Sequence, residues 1–192
     1  MGLQLLTTNS IIPVSIEELA DYLRIDTSID GNGVLSSLTL AAVEFLERET
    51  NTQISPAQYL LTLDGFGSES AVRLPRPPLA SVDSIKFTDP TGAEQVLDPA
   101  LYVVDTASPG RVVLRPCKSW PATDRSANCV RITFTAGYPE VWKIPYTLQQ
   151  AIKMMVGHWY EHREAYVDRR LDEVPLAVQR IVEQHRFFEC VE

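Results

Sequence analysis

An α+β architecture, with the terminal helices forming a bundle and a central, mostly antiparallel β lobe inserted between them, follows from three features of the sequence. Near both ends, apolar residues recur at three- and four-residue steps, the period of a helix buried on one face. From about residue 57 to 136 the period switches to alternation, broken by proline and glycine turn signals. The alternating segments lie too close together for crossover helices, so they are expected to pair antiparallel. The expected organisation is a single domain over 1–192, helical over 15–54 and 144–190.

The first helix starts at a capping box, Ser15-Ile16-Glu17-Glu18: the Ser15 hydroxyl accepts from the Glu18 N–H, and the Glu18 side chain reaches back. Val14 and Leu19 occupy the positions of a hydrophobic staple, and the helix is expected to run to about Arg24. A polar loop with two glycines follows at 26–33. Asn32 is the expected N-cap of a second helix ending near Asn51, with Val34, Leu38, Ala41 and Phe45 as its stripe, backed by Leu35, Ala42 and Leu46. Glu44, Glu47 and Arg48 fall on the opposite side.

Expected strands are 59–64, 71–74, 82–88, 102–105, 111–114 and 129–135. In the last of these Val130, Ile132 and Phe134 alternate with Arg131 and Thr133, the signature of a half-buried strand. Asp89-Pro90-Thr91-Gly92 suits a type I turn, and Ser108-Pro109-Gly110 marks another. Ala136-Gly137-Tyr138-Pro139 closes the lobe. The polar loops 26–33 and 65–70 are expected to order only on docking.

The longest helical pattern is 144–166, with Ile144, Leu148, Ile152, Met155 and Trp159 on one stripe and Pro145 in the first turn, where a missing N–H costs nothing. A charged connector leads to a last helix from Pro175, with Val178, Ile181, His185 and Phe188 at helical spacing.

Composition narrows the functional classes. The net charge of −8 and pI near 4.9 remove the attraction that drives non-specific nucleic-acid binding. Cys117, Cys129 and Cys190 are odd in number and have no C-x-x-C spacing, which suits free thiols in a reducing compartment. The N-terminus lacks a signal-peptide pattern, and no run approaches the roughly 18 apolar residues of a membrane span. No P-loop, G-x-G-x-x-G or G-x-S-x-G motif is present.

Three stretches carry candidate chemistry. His158-Trp159-Tyr160-Glu161-His162 matches the inverted zinc-protease pattern H-x-x-E-H, in which two histidines one turn apart share a metal and the glutamate acts as base. A third ligand has no obvious source, so packing or interface roles for His158 and His162 outweigh a zinc-dependent hydrolase. Leu74-Pro75-Arg76-Pro77-Pro78-Leu79 contains P-x-x-P, either a ligand for an SH3-type groove or a stiff link between strands. The β lobe as a protein-binding module is a further alternative. Trp159, Tyr160, Arg163, Tyr166, Arg169, Arg170, Phe187 and Phe188 have the composition of subunit or partner interfaces. Phe187 and Phe188 fold back onto the bundle or enter a partner.

Taken together, SIEELADYLRID (15–26), AAVEFLERETNTQI (41–54), LPRPPLASVDSIKFTDPTG (74–92), the Tyr102 strand, Trp120-Pro121, FTAGYP (134–139) and IPYTLQQAIKMMVGHWYEHRE (144–164) resemble the head–tail connector (adaptor) family of long-tailed bacteriophages and related gene transfer agents. The resemblance covers nearly the whole chain. It implies a structural virion protein, not an enzyme, with no cofactor, assembled in the bacterial host cytoplasm and located at the neck. It implies a ring of about twelve copies, closed by heterologous contacts. The ring would dock beneath the portal protein, meet the next neck or tail-completion protein, and extend a channel through which DNA passes without specific binding.

Overall fold

The computed structural model describes residues 1–8, 11–25, 32–124, 126–162 and 174–188. The chain divides into two compact units, Met1–Asn9 with Pro56–Tyr138 and Ser10–Ser55 with Pro139–Glu192. The described residues mix helices with antiparallel sheets, the α+β class expected.

The described residues of the first unit form eight strands: β1 (Gly2–Thr8), β2 (Ala57–Leu63), β3 (Ala71–Arg73), β4 (Leu79–Thr88), β5 (Glu94–Val96), β6 (Tyr102–Asp105), β7 (Arg111–Leu114) and β8 (Val130–Ala136). One sheet has the order β1-β2-β8-β4-β5 and the other β3-β7-β6, every pair antiparallel. β8 lies at the centre of the larger sheet. Its Val130, Ile132 and Phe134 are fully buried while Arg131 stays exposed, as the alternation requires. Tyr59 stacks on Phe134 at 5.8 Å. Val72, Leu74 and Val112 bring the smaller sheet into the same core.

Two strands escape the sequence reading. β1 has every residue exposed, so it carries no buried alternation, and its register is supplied entirely by the edge of β2. β5 is only three residues long. Its edge carries Glu94, which pairs with Lys86 at 2.9 Å and Arg131 at 2.8 Å; such exposed pairs contribute little stability but discourage edge-to-edge association. The expected turn at 89–92 is present: the Gly92 N–H donates to the Asp89 carbonyl, and Gly92 takes φ +85°. The 65–70 loop departs from expectation. Phe66 is buried and stacks on Trp120 at 4.5 Å, and the Trp120 indole N–H donates to the Glu69 carbonyl, so this loop is tied to the core. Pro75 and Pro77 are buried between β3 and β4, which suits the stiff link rather than an exposed P-x-x-P ligand.

The second unit holds four described helices: α1 (Ile16–Leu23), α2 (Asn32–Thr50), α3 (Tyr146–Glu161) and α4 (Leu176–His185). α1 starts as expected, with the Ser15 hydroxyl accepting from the Glu18 N–H at 3.1 Å. The Glu18 carboxylate does not close the box; it accepts from Lys153 Nζ of α3. Asn32 lies inside α2 rather than at its cap. The buried face of α2 is also rotated by about one residue from the expected stripe. Leu35, Thr39, Ala42, Leu46 and Thr50 are buried, whereas Val34 and Ala41 are exposed. The two threonines tolerate the core because their hydroxyls donate to the carbonyls one turn back, Leu35 at 2.7 Å and Leu46 at 2.6 Å.

α3 buries Leu148, Ile152 and Met155, with Ile144 just before it. Pro145 is the N-cap, not a first-turn residue, and the helix ends at Glu161. Residues 163–166, expected to continue it, lie outside the described residues. In α4 the buried face is Val178 and Val182, so Ile181 and His185 are only half-buried and Phe188 lies beyond the helix.

Candidate assembly surfaces

Trp159 is half-buried and packs edge-on against Phe45 of α2, ring centroids 6.3 Å apart at 84°. The indole therefore joins two helices of its own unit. Trp159→Ala should cost about 2–3 kcal/mol, less than the roughly 3–5 kcal/mol of a fully buried aromatic. A melting temperature equal to wild type would contradict this packing role. Tyr160 is half-buried as well. Arg163, Tyr166, Arg169 and Arg170 lie outside the described residues.

The two C-terminal phenylalanines behave differently. The Phe187 N–H donates to the Thr50 carbonyl at 2.7 Å, and Asn51 Nδ2 donates to the Phe187 carbonyl at 3.4 Å. An otherwise unpaired carbonyl at the C-terminal end of α2 is thus satisfied by the tail. Phe188 is 72% exposed, with the Arg186 guanidinium 5.8 Å from its ring.

His158 and His162 share a helical face, their ring centroids 4.7 Å apart. His162 Nδ1 lies 2.8 Å from the His158 carbonyl, which can only accept, so Nδ1 carries the proton. A zinc site needs at least three protein ligands. Among the described residues no three His, Cys, Asp or Glu side chains gather to hold a metal. Cys117 is an exposed free thiol and Cys129 a buried one, its Sγ 3.2 Å from the Asp64 carbonyl; Cys190 lies outside the described residues.

His185 has a displaced titration. Its Nε2 lies 2.7 Å from the Thr147 hydroxyl, and burial pushes its pKa below the ordinary value near 6.5. With a depressed folded pKa, the folded state binds fewer protons than the unfolded chain as pH falls through that value. The stability this histidine contributes is present above the ordinary pKa and lost on acidification. His185→Gln should flatten the loss of thermal stability between about pH 7 and 5. Parallel curves for variant and wild type would contradict it.

Three features were not visible as functional candidates in the sequence. Trp142 and Tyr146 are 71% and 82% exposed at the N-terminal end of α3. At its other end a cleft of about 560 Å³ is lined by residues of α1, α3 and the start of α4. Glu47, assigned to the solvent side, is half-buried, and its Oε1 accepts from Gln53 Nε2 and from the Ile54 and Ser55 N–H groups at 2.8–2.9 Å.

A family model described as head completion protein matches residues 13–188. No curated protein matches the chain. Among solved structures, a chain from the neck of an empty GTA particle computed with C6 symmetry is 22% identical with TM-score 0.74, covering 100% of this chain and 98% of that one. A chain from the virion of a native gene transfer agent particle gives 22% and 0.77, with the same coverage. One from the neck of a native GTA particle computed with C12 symmetry gives 21% and 0.70, covering 98% and 97%. These likenesses establish that the fold is shared from end to end.

Proposed function

The chain belongs to the head completion protein family, and from that membership we propose that it serves as a head–tail connector, a structural virion protein at the neck. The whole chain acts as one connector, between the portal and the rest of the neck or tail, and extends the DNA channel. The observation that carries this reading is the family match over residues 13–188, supported by the shared fold with chains of GTA necks.

The connector works as a ring of about twelve copies, built from heterologous contacts that repeat and close. Its partners are other copies of itself, the portal protein and the next neck or tail-completion protein. The net charge of −8 suits a channel through which a polyanion must slide: like charge keeps DNA from adhering. Its role is structural rather than enzymatic. Among the described members of the expected interface set, Phe188 is exposed, and Trp159, Tyr160 and Phe187 are half-buried.

Electron microscopy of particles carrying this chain tests the assignment. The expected result is a ring of its density at the neck, between portal and tail. Density in the tail tube or capsid shell would overturn it.

A further inference from the structure

Trp142 and Tyr146 face solvent, and the turn that carries Trp142 is tied down through its backbone. Trp142 sits in a 3-10 turn, Val141–Lys143, directly above the buried Ile144. The buried Gln149 pins that turn from behind: its Nε2 donates to the Ile144 carbonyl at 3.0 Å and to the Val141 carbonyl at 3.5 Å. Lys143 Nζ lies 5.0 Å from the Trp142 ring centroid and 3.6 Å from Glu140 Oε1, so the exposed indole is flanked by a cation held in a solvent-exposed pair. Exposed aromatic groups on a backbone that is already ordered make strong interface anchors, because little backbone freedom is lost on docking.

The cleft at the opposite end of α3 is the complement of this anchor. Tyr22 and Met154 line it, and Gly157 lets α1 approach closely, since a Cβ there would lie 3.1 Å from Leu23 Cδ2. Glu161, exposed at the last position of α3, puts a carboxylate at the cleft where the helix dipole is also negative. Arg24, also in the lining, offers a cation to an aromatic face. The cleft therefore offers a carboxylate that can compete with Glu140 for Lys143, and a cation to the indole.

We propose that Trp142 of one copy docks into the cleft of the next, joining copies head to tail along α3. The inference rests on the ring reading and gives it a contact. Anchor and cleft lie toward opposite ends of a 16-residue helix about 24 Å long at 1.5 Å per residue. They are different patches, so each copy offers one of each, and the contact repeats until the rotation closes. A self-complementary patch would stop at dimers.

The test is cross-linking within assembled particles. A chain that keeps Trp142, with Cys117 and Cys190 replaced by serine and carrying both Tyr146→Cys and His158→Cys, is treated with a short bis-maleimide and separated under denaturing conditions. A ladder of covalent oligomers of this chain, absent from either single variant, is expected. Monomers only, or a cross-link to another particle protein, in particles whose neck ring is intact would overturn the contact and leave the ring reading standing. Absence of any ring of this chain in wild-type particles would overturn the ring reading itself. Trp142→Ala provides a second measurement. With its indole already exposed, it should melt within about 2 °C of wild type yet fail to form the ring. Normal ring assembly by this variant would overturn the proposal.

Discussion

Gly110→Ala should destabilise the protein by about 3 kcal/mol, lowering the melting temperature by roughly 6–12 °C. Gly110 is buried beside β4, and a Cβ built on it would stand 2.3 Å from Leu79 Cβ, 2.7 Å from Cδ2 and 3.0 Å from Cγ. A rotamer change cannot relieve the first of these, because a Cβ moves only with its backbone. Leu79 begins β4 and is buried in the β core, so relief means shifting a strand. Gly110 is itself held in place, since its carbonyl accepts from the Leu74 N–H at 2.9 Å. Gly33→Ala is the internal contrast. Nothing lies within 4 Å of its would-be Cβ, and it sits in the first turn of α2. That change should be neutral or stabilise by up to about 1 kcal/mol. Thermal melts of the two variants side by side decide the matter; equal midpoints would refute the close approach at Gly110.

The second large effect is expected at Glu47. One carboxylate oxygen gathers three N–H donors from the segment that leaves α2, and that segment is buried: Gln53, Ile54 and Ser55 are 3%, 0% and 6% exposed. Glu47→Ala removes the acceptor and leaves two buried backbone N–H groups unpaired. At about 1–3 kcal/mol for each, the total cost is roughly 3–5 kcal/mol. Glu47→Gln retains an acceptor oxygen without the charge, so it should cost about half as much. Denaturant midpoints for the pair check both values; equal losses would mean that the charge, and not the acceptor, holds the segment.

Glu47 also shows why part of this molecule was illegible in the sequence. Helical periodicity assigns it to the solvent side of α2, because a glutamate signals solvent whenever its partners are unknown. Those partners come from chain that folds back after the helix. The same blindness rotated the α2 stripe: Thr39 and Thr50 look polar until their hydroxyls are paired with carbonyls one turn back. β1 gave no usable alternation because none of its residues is buried, and only the free edge of β2 makes it a strand. By contrast β6 and β7 fall on the expected residues, and β8 within one residue, because their alternation and flanking turns are local.

The candidate surfaces divide along the same line. The aromatic end of α3 was visible as an interface candidate, yet Trp159 is engaged by Phe45 of its own unit. Trp142 lies just upstream of the stripe and Tyr146 between its first two members, and neither is legible as an exposed anchor, since exposure cannot be read from residue type. The H-x-x-E-H spacing placed two imidazoles on one face, as helix geometry demands, but a metal site needs a third group from elsewhere in the fold.

By itself the sequence determined the α+β class, the helical ends and the β lobe, the capping of α1, the turn after β4 and the resemblance to connectors of the phage neck. All of these rest on residues near one another in the chain, or on long runs of similar sequence. Tertiary structure alone decided which face of α2 is buried, that the Phe187 backbone closes the end of α2 while Phe188 stays out, that Gly110 admits Leu79, and that an aromatic anchor and a cleft stand at opposite ends of α3. Each of these depends on groups distant in sequence meeting at a few ångströms, where hydrogen-bond partners and steric contact, not residue type, set the energy.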